Sequence, residues 1–352
     1  MKLMDPMSPE RLAEITARFP SLRVAVLGDF FLDKYLDCDP RIAEKSVESG
    51  RVAHQVVRVR HSPGAAGTVV QNLAALETGR VHAIGFTGDD GEAYDLRRDL
   101  QALGCSTDLL LTEPGKMTMQ YLKPRDMTDP TLAGEHERYD TKNRTASEPA
   151  LEERILKALD KVLPQVDAVI LADQVEADDR GVITRRVRDA VAERALRRPN
   201  VIFMADSRTH IALFRNVIIK PNQFEVAGVP EPLPGMEVDL GTLQTCLERL
   251  RASVGAPVVA TRGEKGAIVT EPEPTEVPGV YLDCPVDPTG AGDSTTAGCT
   301  LALAAGALLP EAALVGCLVA SVTVQQLATT GIAHRDDLPG QLDLWLKQRQ
   351  GR

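Results

Sequence analysis

The chain has 352 residues, 43% hydrophobic and 26% charged, which is enough for a large core and ordinary for a globular protein. A formal net charge of −10 argues against a nucleic-acid or anionic-membrane partner. The six cysteines stand singly, with no C-x-x-C pair, and there is neither a basic-then-apolar leader nor a long uncharged apolar run. A cytoplasmic protein is expected, neither secreted nor membrane-spanning.

In chain order, Ser8-Pro9 opens a first helix with a cap and a proline at the first helical position. Buried strands follow at 22–27, 81–86, 168–172, 201–205, 217–220 and 258–261, with helices between them at 148–163, 181–197 and 242–254. Short apolar strands alternating with amphipathic helices predict a βαβ sheet. Residues 50–60 (Val57 and Val59 against Arg58 and Arg60) and 117–123 (Met117, Met119, Tyr121) instead alternate with period two. That pattern predicts half-buried strands, either a separate small sheet or edge strands of the main one. Prolines mark surface loops at 230–234 and 272–278, and an apolar helix is expected over 314–327.

The most informative stretch is 287–298, Asp-Pro-Thr-Gly-Ala-Gly-Asp-Ser-Thr-Thr-Ala-Gly. Gly290, Ala291 and Gly292 leave the backbone bare, Asp293 follows, and a small, apolar helix runs from Ser294 to Ala305 with Gly306 as its stop. The start of a helix offers unpaired N–H groups and a positive dipole end, so it attracts an anion. A carboxylate beside an anion makes chemical sense if it deprotonates a hydroxyl that attacks the anion. Phosphoryl transfer with Asp293 as base follows.

This string resembles the C-terminal signature of the ribokinase-like (pfkB) family of carbohydrate kinases. The resemblance implies an α/β fold, with a mostly parallel sheet between helices and a small β lid from about residues 34–61 and 116–141. It also implies one kinase domain over 1–352, ATP and Mg²⁺ as cofactors, a sugar or sugar phosphate as acceptor, and a homodimer joined through the lid. Gly290, Ala291 and Gly292 would form the anion hole.

Other residues fall into the same order. Gly28-Asp29-Phe30-Phe31-Leu32-Asp33 ends the first strand, where ligands of open α/β sheets sit. Asp29 and Asp33 are candidates for sugar hydroxyls, although Asp is also a common turn residue. The segment Gly64-Ala65-Ala66-Gly67-Thr68 stands where the family has two glycines and a sugar-binding asparagine; Gly64 and Ala65 replace the glycines and Thr68 the asparagine. Arg138-Tyr139-Asp140, with Lys34-Tyr35 after Asp33, is similar to the bacterial heptose-7-phosphate kinase branch, and makes Arg138 a clamp for a phosphate or hydroxyl. Asp206-Ser207-Arg208 ends one strand and Lys220-Pro221-Asn222-Gln223-Phe224-Glu225 the next. Asn222 and Glu225 suit Mg²⁺ held through water, or else a helix cap.

Thr261-Arg262-Gly263-Glu264-Lys265-Gly266 reads as a glycine-turn hairpin. In the family it lies beside the nucleotide, with Thr261 and Gly263 in contact and Gly266 forming the turn. Cys317 stands where relatives have an asparagine near the nucleotide. Asp287 and Thr289, with Thr329-Thr330-Gly331, resemble a monovalent-cation loop, which implies K⁺. No Walker string G-x-x-x-x-G-K-[S/T], G-x-S-x-G elbow or clustered His/Cys set occurs, which argues against a P-loop kinase, a serine hydrolase and a zinc site. Bifunctional members of the heptose branch carry a nucleotidyltransferase after the kinase, and a chain of this length is expected to hold the kinase alone. A hexose or pentose kinase, or a non-catalytic regulator that binds sugar or nucleotide, are the alternatives.

Overall fold

The computed structural model describes residues 1–129, 134–327 and 330–350. Its strands are β1 (Lys2–Leu3), β2 (Arg23–Gly28), β3 (Phe30–Cys38), β4 (Glu44–Lys45), β5 (Val52–Ala53), β6 (Val56–Ala65), β7 (Arg80–Thr87), β8 (Cys105–Thr112), β9 (Met119–Asp126) and β10 (Tyr139–Thr141). They continue with β11 (Ala168–Asp173), β12 (Ile202–Ser207), β13 (Ile218–Ile219), β14 (Val259–Thr261), β15 (Ala267–Val269) and β16 (Thr275–Val277). The helices are α1 (Pro9–Thr16), α2 (Ala66–Ala75), α3 (Gly91–Ala102), α4 (Pro149–Val162), α5 (Arg185–Arg197), α6 (Gln223–Ala227), α7 (Leu240–Val254), α8 (Ala291–Ala304), α9 (Leu309–Thr323) and α10 (Leu338–Gln350).

The main sheet runs β13-β12-β11-β2-β7-β8, parallel throughout. Val24–Leu27 and Ala168–Ala172 are buried on both faces, as a helix-covered parallel sheet requires. One apolar cluster packs α1, α2, α8, α9 and α10 on one face; another packs α4, α5 and α7 on the other. Parallel bridges Ile219↔Val258 and Asn222↔Thr261 extend the sheet into a second one, β1-β16-β15-β14. The proline-marked stretch 272–278 is therefore not all loop, because Thr275–Val277 pairs with β15 there. The expected 314–327 helix is α9, which starts at Leu309 and ends at Thr323. No helix among the described residues is long and apolar enough to cross a membrane.

The period-two segments belong to a separate sheet of order β10-β9-β3-β6. Only Asp29 separates β2 from β3, so the chain passes straight from the main sheet into this one. Its strands begin at Phe30 and reach Ala65, wider than the expected 34–61, and β9 and β10 lie within 116–141. Val57 and Val59, expected to be half-buried, are 48% and 49% exposed. Their alternation sorts side chains by face, but the described residues leave the apolar face of this edge strand about half open. On the opposite face the register sets Asp33 beside Tyr121, and Tyr35 between Arg60 and Lys123.

Candidate active site

The 287–298 stretch builds the N-terminus of α8. Asp287 Oδ1 accepts from the Thr289 N–H at 3.0 Å, and the Asp287 N–H donates to Val324 O at 2.7 Å, which ties the loop to the end of α9. Gly290 has φ 78°, a left-handed conformation open to glycine. The helix opens at Ala291, three residues before the expected Ser294. One of the three expected anion-hole amides is spoken for, because the Ala291 N–H donates to Pro288 O at 3.1 Å. The N–H groups of Gly290, Gly292 and Asp293 donate to no described residue. They are the unpaired donors of a helix start, so the amides left open to an anion are those of Gly290, Gly292 and Asp293, while Ala291 of the expected three is engaged.

Asp293 is half-buried in the first turn and makes no side-chain hydrogen bond to a described residue. Burial pushes its carboxyl up to about 7, and Asp206 adds to the rise, while Lys220 and Arg208 oppose it. Lys220, to which the sequence alone gave no role, stands beside this helix start. Its buried Nζ lies 3.1 Å from Asp206 Oδ2, and a Cβ added at Gly292 would lie 3.4 Å from it. Thr296 donates to the same Asp206 oxygen at 3.2 Å. A fixed cation therefore flanks the bare helix start. The signal in the sequence was a lysine closing a buried strand just before Pro-Asn.

The residues expected to hold the acceptor lie on and beside the small sheet. Asp33 is buried, with Oδ2 at 3.3 Å from Lys123 Nζ and Oδ1 without a partner. Gly64 allows this, since a Cβ there would meet Asp33 Oδ1 at 2.7 Å. Burial raises the Asp33 carboxyl against the pull of Lys123. Lys123 also lies 3.4 Å from Tyr35 Oη. Burial works against its charge, but Asp33 and Tyr35 outweigh it and raise its pKa. Arg138 sits 4.6 Å over the Tyr121 ring and pairs with Asp140 at 2.8 Å. Arg208 lies within electrostatic reach of Tyr121 and Asp293. Lys123 was missed, although two-residue alternation from Tyr121 puts it on the same face. Thr68 is buried in the first turn of α2, with its methyl toward Gly290.

Asp29 departs from the expectation. It is fully buried, and its two oxygens accept from the N–H groups of Gln174, Val175 and Val182 at 2.9, 3.2 and 2.7 Å. Burial and Asp173 push it up to about 7 against those donors. It braces the 174–182 loop instead of facing a sugar. Ala65 caps α2 at φ 55°, a strained value for a residue with a Cβ. Ala65→Gly is expected to stabilise the protein by about 1 kcal/mol, read as a rise in Tm of a few degrees.

On the side where the nucleotide is expected, Asn222 and Glu225 form a capping box. Asn222 Oδ1 accepts from Phe224 and Glu225 N–H at 2.8 and 3.0 Å, and Glu225 Oε2 accepts from Asn222 N–H at 2.7 Å. The helix-cap alternative thus describes Asn222, whose oxygen is committed to the backbone. Burial raises the Glu225 carboxyl, with the Asn222 N–H opposing; Asp206 raises it further and Lys220 lowers it, so Glu225 lies within electrostatic reach of that pair. Among the described residues no three His, Cys, Asp or Glu side chains form a cage for a metal ion. Asp206 and Glu225 suit a hard cation bound mainly through water and phosphate oxygens. Thr261, Gly263, Gly266 and Cys317 line a cavity of about 250 Å³ that reaches Ala291 and Gly292. Thr330 packs by Gly290, and Thr329 lies outside the described residues.

The pfkB family carbohydrate kinase pattern matches residues 24–335. The Bifunctional protein HldE of a Nitratiruptor species is 30% identical over 310 residues, covering 86% of this chain and 61% of that protein. The chain thus spans about three-fifths of the length of the curated relatives it matches. Among solved structures, ribokinase from Thermotoga maritima superposes with a TM-score of 0.64 at 19% identity, over 92% of this chain and 99% of that one. Phosphofructokinase-2 from Escherichia coli, in complex with substrates and products, gives 0.65 at 18%, over 92% and 98%. At those identities the superpositions speak for the fold. A ribokinase-like α/β sheet and a family match over most of the length, joined at a glycine-led helix start with an acid in its first turn, make this chain a member of the pfkB family of carbohydrate kinases.

Proposed function

We propose that the protein transfers the γ-phosphoryl group of ATP to a hydroxyl of a sugar phosphate. The observation that carries this reading is Asp293 standing in the first turn of α8, beside unpaired amides and the Lys220 ammonium and within electrostatic reach of Asp33. Asp293 accepts the hydroxyl proton as that oxygen attacks the γ-phosphorus. The Gly290, Gly292 and Asp293 N–H groups and Lys220 take up charge on the transferring group. Mg²⁺, when bound, neutralises phosphate oxygens, and Glu225 and Asp206 would hold it through water. Thr261, Gly263 and Gly266 face the nucleotide. Asp287 and Thr289 would border a K⁺ ion.

Support for a phosphorylated acceptor comes from three cations, Lys123, Arg138 and Arg208, gathered around Tyr121 and Asp33. Each also holds a carboxylate, Asp33, Asp140 and Glu176 respectively, which a phosphate would compete with for the cations. Heptose 7-phosphate is the acceptor that the resemblance implies. Val56, Val57 and Val59, exposed on the edge strand β6, offer a second copy an apolar, hydrogen-bonding edge for a dimer through the lid. One catalytic domain over 1–352, working in the cytoplasm, completes the proposal.

The test is ADP release across free and phosphorylated hexoses and heptoses. Phosphorylated acceptors are expected to exceed their free counterparts by more than about tenfold in kcat/KM, and Arg138→Ala to raise KM for them alone. Nucleotide-dependent thermal stabilisation with no ADP from any acceptor would instead favour a regulator. Preference for a free sugar would return the hexose or pentose kinase alternative.

A further inference from the structure

We infer that the donor site grips the triphosphate but does not read the base, so that GTP and ITP serve nearly as well as ATP. The inference rests on the kinase reading above. The 250 Å³ cavity between the β14–β15 turn and helices α8 and α9 is walled by Val280, Leu282, Val286, Cys317, Ala320 and Val324. Burial pushes the Cys317 thiol up to about 12, so it stays neutral and acts as a small apolar group.

Four polar side chains among the described residues line the same space, and none offers a free proton to a base. The Thr295 hydroxyl donates to Ala291 O at 2.7 Å, and Ser321 donates to Leu318 O at 2.7 Å. Thr261 donates to Pro221 O at 3.4 Å. Glu264 stands exposed at the cavity and, ionised, can only accept. Selecting adenine over guanine takes a donor aimed at adenine N1, where guanine and hypoxanthine carry an N–H, or an acceptor fixed opposite position 6, where adenine carries N6–H and the other two carry O6. Glu264, the acceptor at hand, is exposed, and no hydrogen bond to a described residue fixes it opposite that position. A site that demands a particular hydrogen bond can reject an analogue by about 10⁴–10⁵, whereas an apolar pocket manages about 10² at most. The side chains here are of the second kind, so binding energy comes from the phosphate end: the unpaired amides of α8, and Lys220.

The imido analogues of ATP, GTP and ITP, titrated calorimetrically into the full chain with Mg²⁺, test this. Dissociation constants within about tenfold of one another are expected, and kcat/KM values for the three triphosphates should agree to the same extent with the best acceptor of the panel. Binding of the ATP analogue more than about a hundredfold tighter than the others would overturn the inference and leave the kinase reading intact. No binding by any of the three would overturn both. Cys317→Asn, checked for a wild-type melting curve, places an amide donor on the cavity wall. It is expected to open a preference for ATP that the wild type lacks; an unchanged ratio in the folded variant would put the base elsewhere and also overturn the inference. If the variant does not fold, the wild-type titrations decide alone.

Discussion

Asp293→Asn is expected to lower kcat by about 10²–10⁴ while leaving acceptor affinity nearly unchanged. The amide keeps the shape of the first turn of α8 and removes the base. Calorimetric binding of the acceptor, beside coupled ADP release, separates the two effects; full turnover in the variant would refute the role. The pH profile gives a second measurement on the same residue. The Asp293 carboxyl is raised to about 7, so it is protonated below that pH and free to accept a proton above it. The kcat/KM of the wild type should therefore fall as pH drops through about 7, and the residual activity of Asp293→Asn should lack that limb. A wild-type profile flat down to pH 5 would place the base elsewhere.

Lys220→Met is expected to have the other large effect, and to act in two ways. Lys220 Nζ is the buried counter-charge of Asp206, and Asp293 and Glu225 lie within its electrostatic reach. Removing one partner of a buried pair costs about 3–5 kcal/mol, because the remaining charge is stranded. Removing a fixed cation from the transferring phosphoryl should also lower kcat by about 10²–10³. The pair Lys220→Met with Asp206→Asn, with turnover read against Asp206→Asn alone because Asp206 would also hold Mg²⁺, separates these contributions. Denaturant melts should show most of the stability restored, while turnover stays low. If turnover returns with stability, Lys220 is a structural counter-ion and no more.

The central sheet was legible because buried parallel strands read as unbroken apolar runs. Val24–Leu27 and Ala168–Ala172 have no polar position to confuse the reading, and both are wholly buried. The start of α8 was legible for a different reason. Bare glycines followed at once by an acid form a local pattern, and the chemistry of a helix N-terminus needs only neighbours in sequence. Which amides stay unpaired was not legible, since the Ala291 N–H is consumed by a turn to Pro288 that composition does not announce.

Asp29 and Asp33 show where local reading ends. In sequence both are acids at the end of a strand and equally good candidates. The fold separates them: Asp29 is the single residue between β2 and β3 and meets three backbone N–H groups from a loop some 150 positions away, at Gln174, Val175 and Val182, whereas Asp33 falls in register with Tyr121 and within reach of Lys123. The chain by itself determined the alternation of strands and helices, the glycine-led helix start and the acid within it, because each depends on residues a few positions apart. The tertiary structure alone decided that Asp29 is braced by backbone N–H groups while Asp33 meets Lys123, that Lys220 flanks the start of α8, and that Lys123, Arg138 and Arg208 gather around Tyr121. Those facts depend on which distant segments share a face, and burial and charge act through space rather than along the backbone.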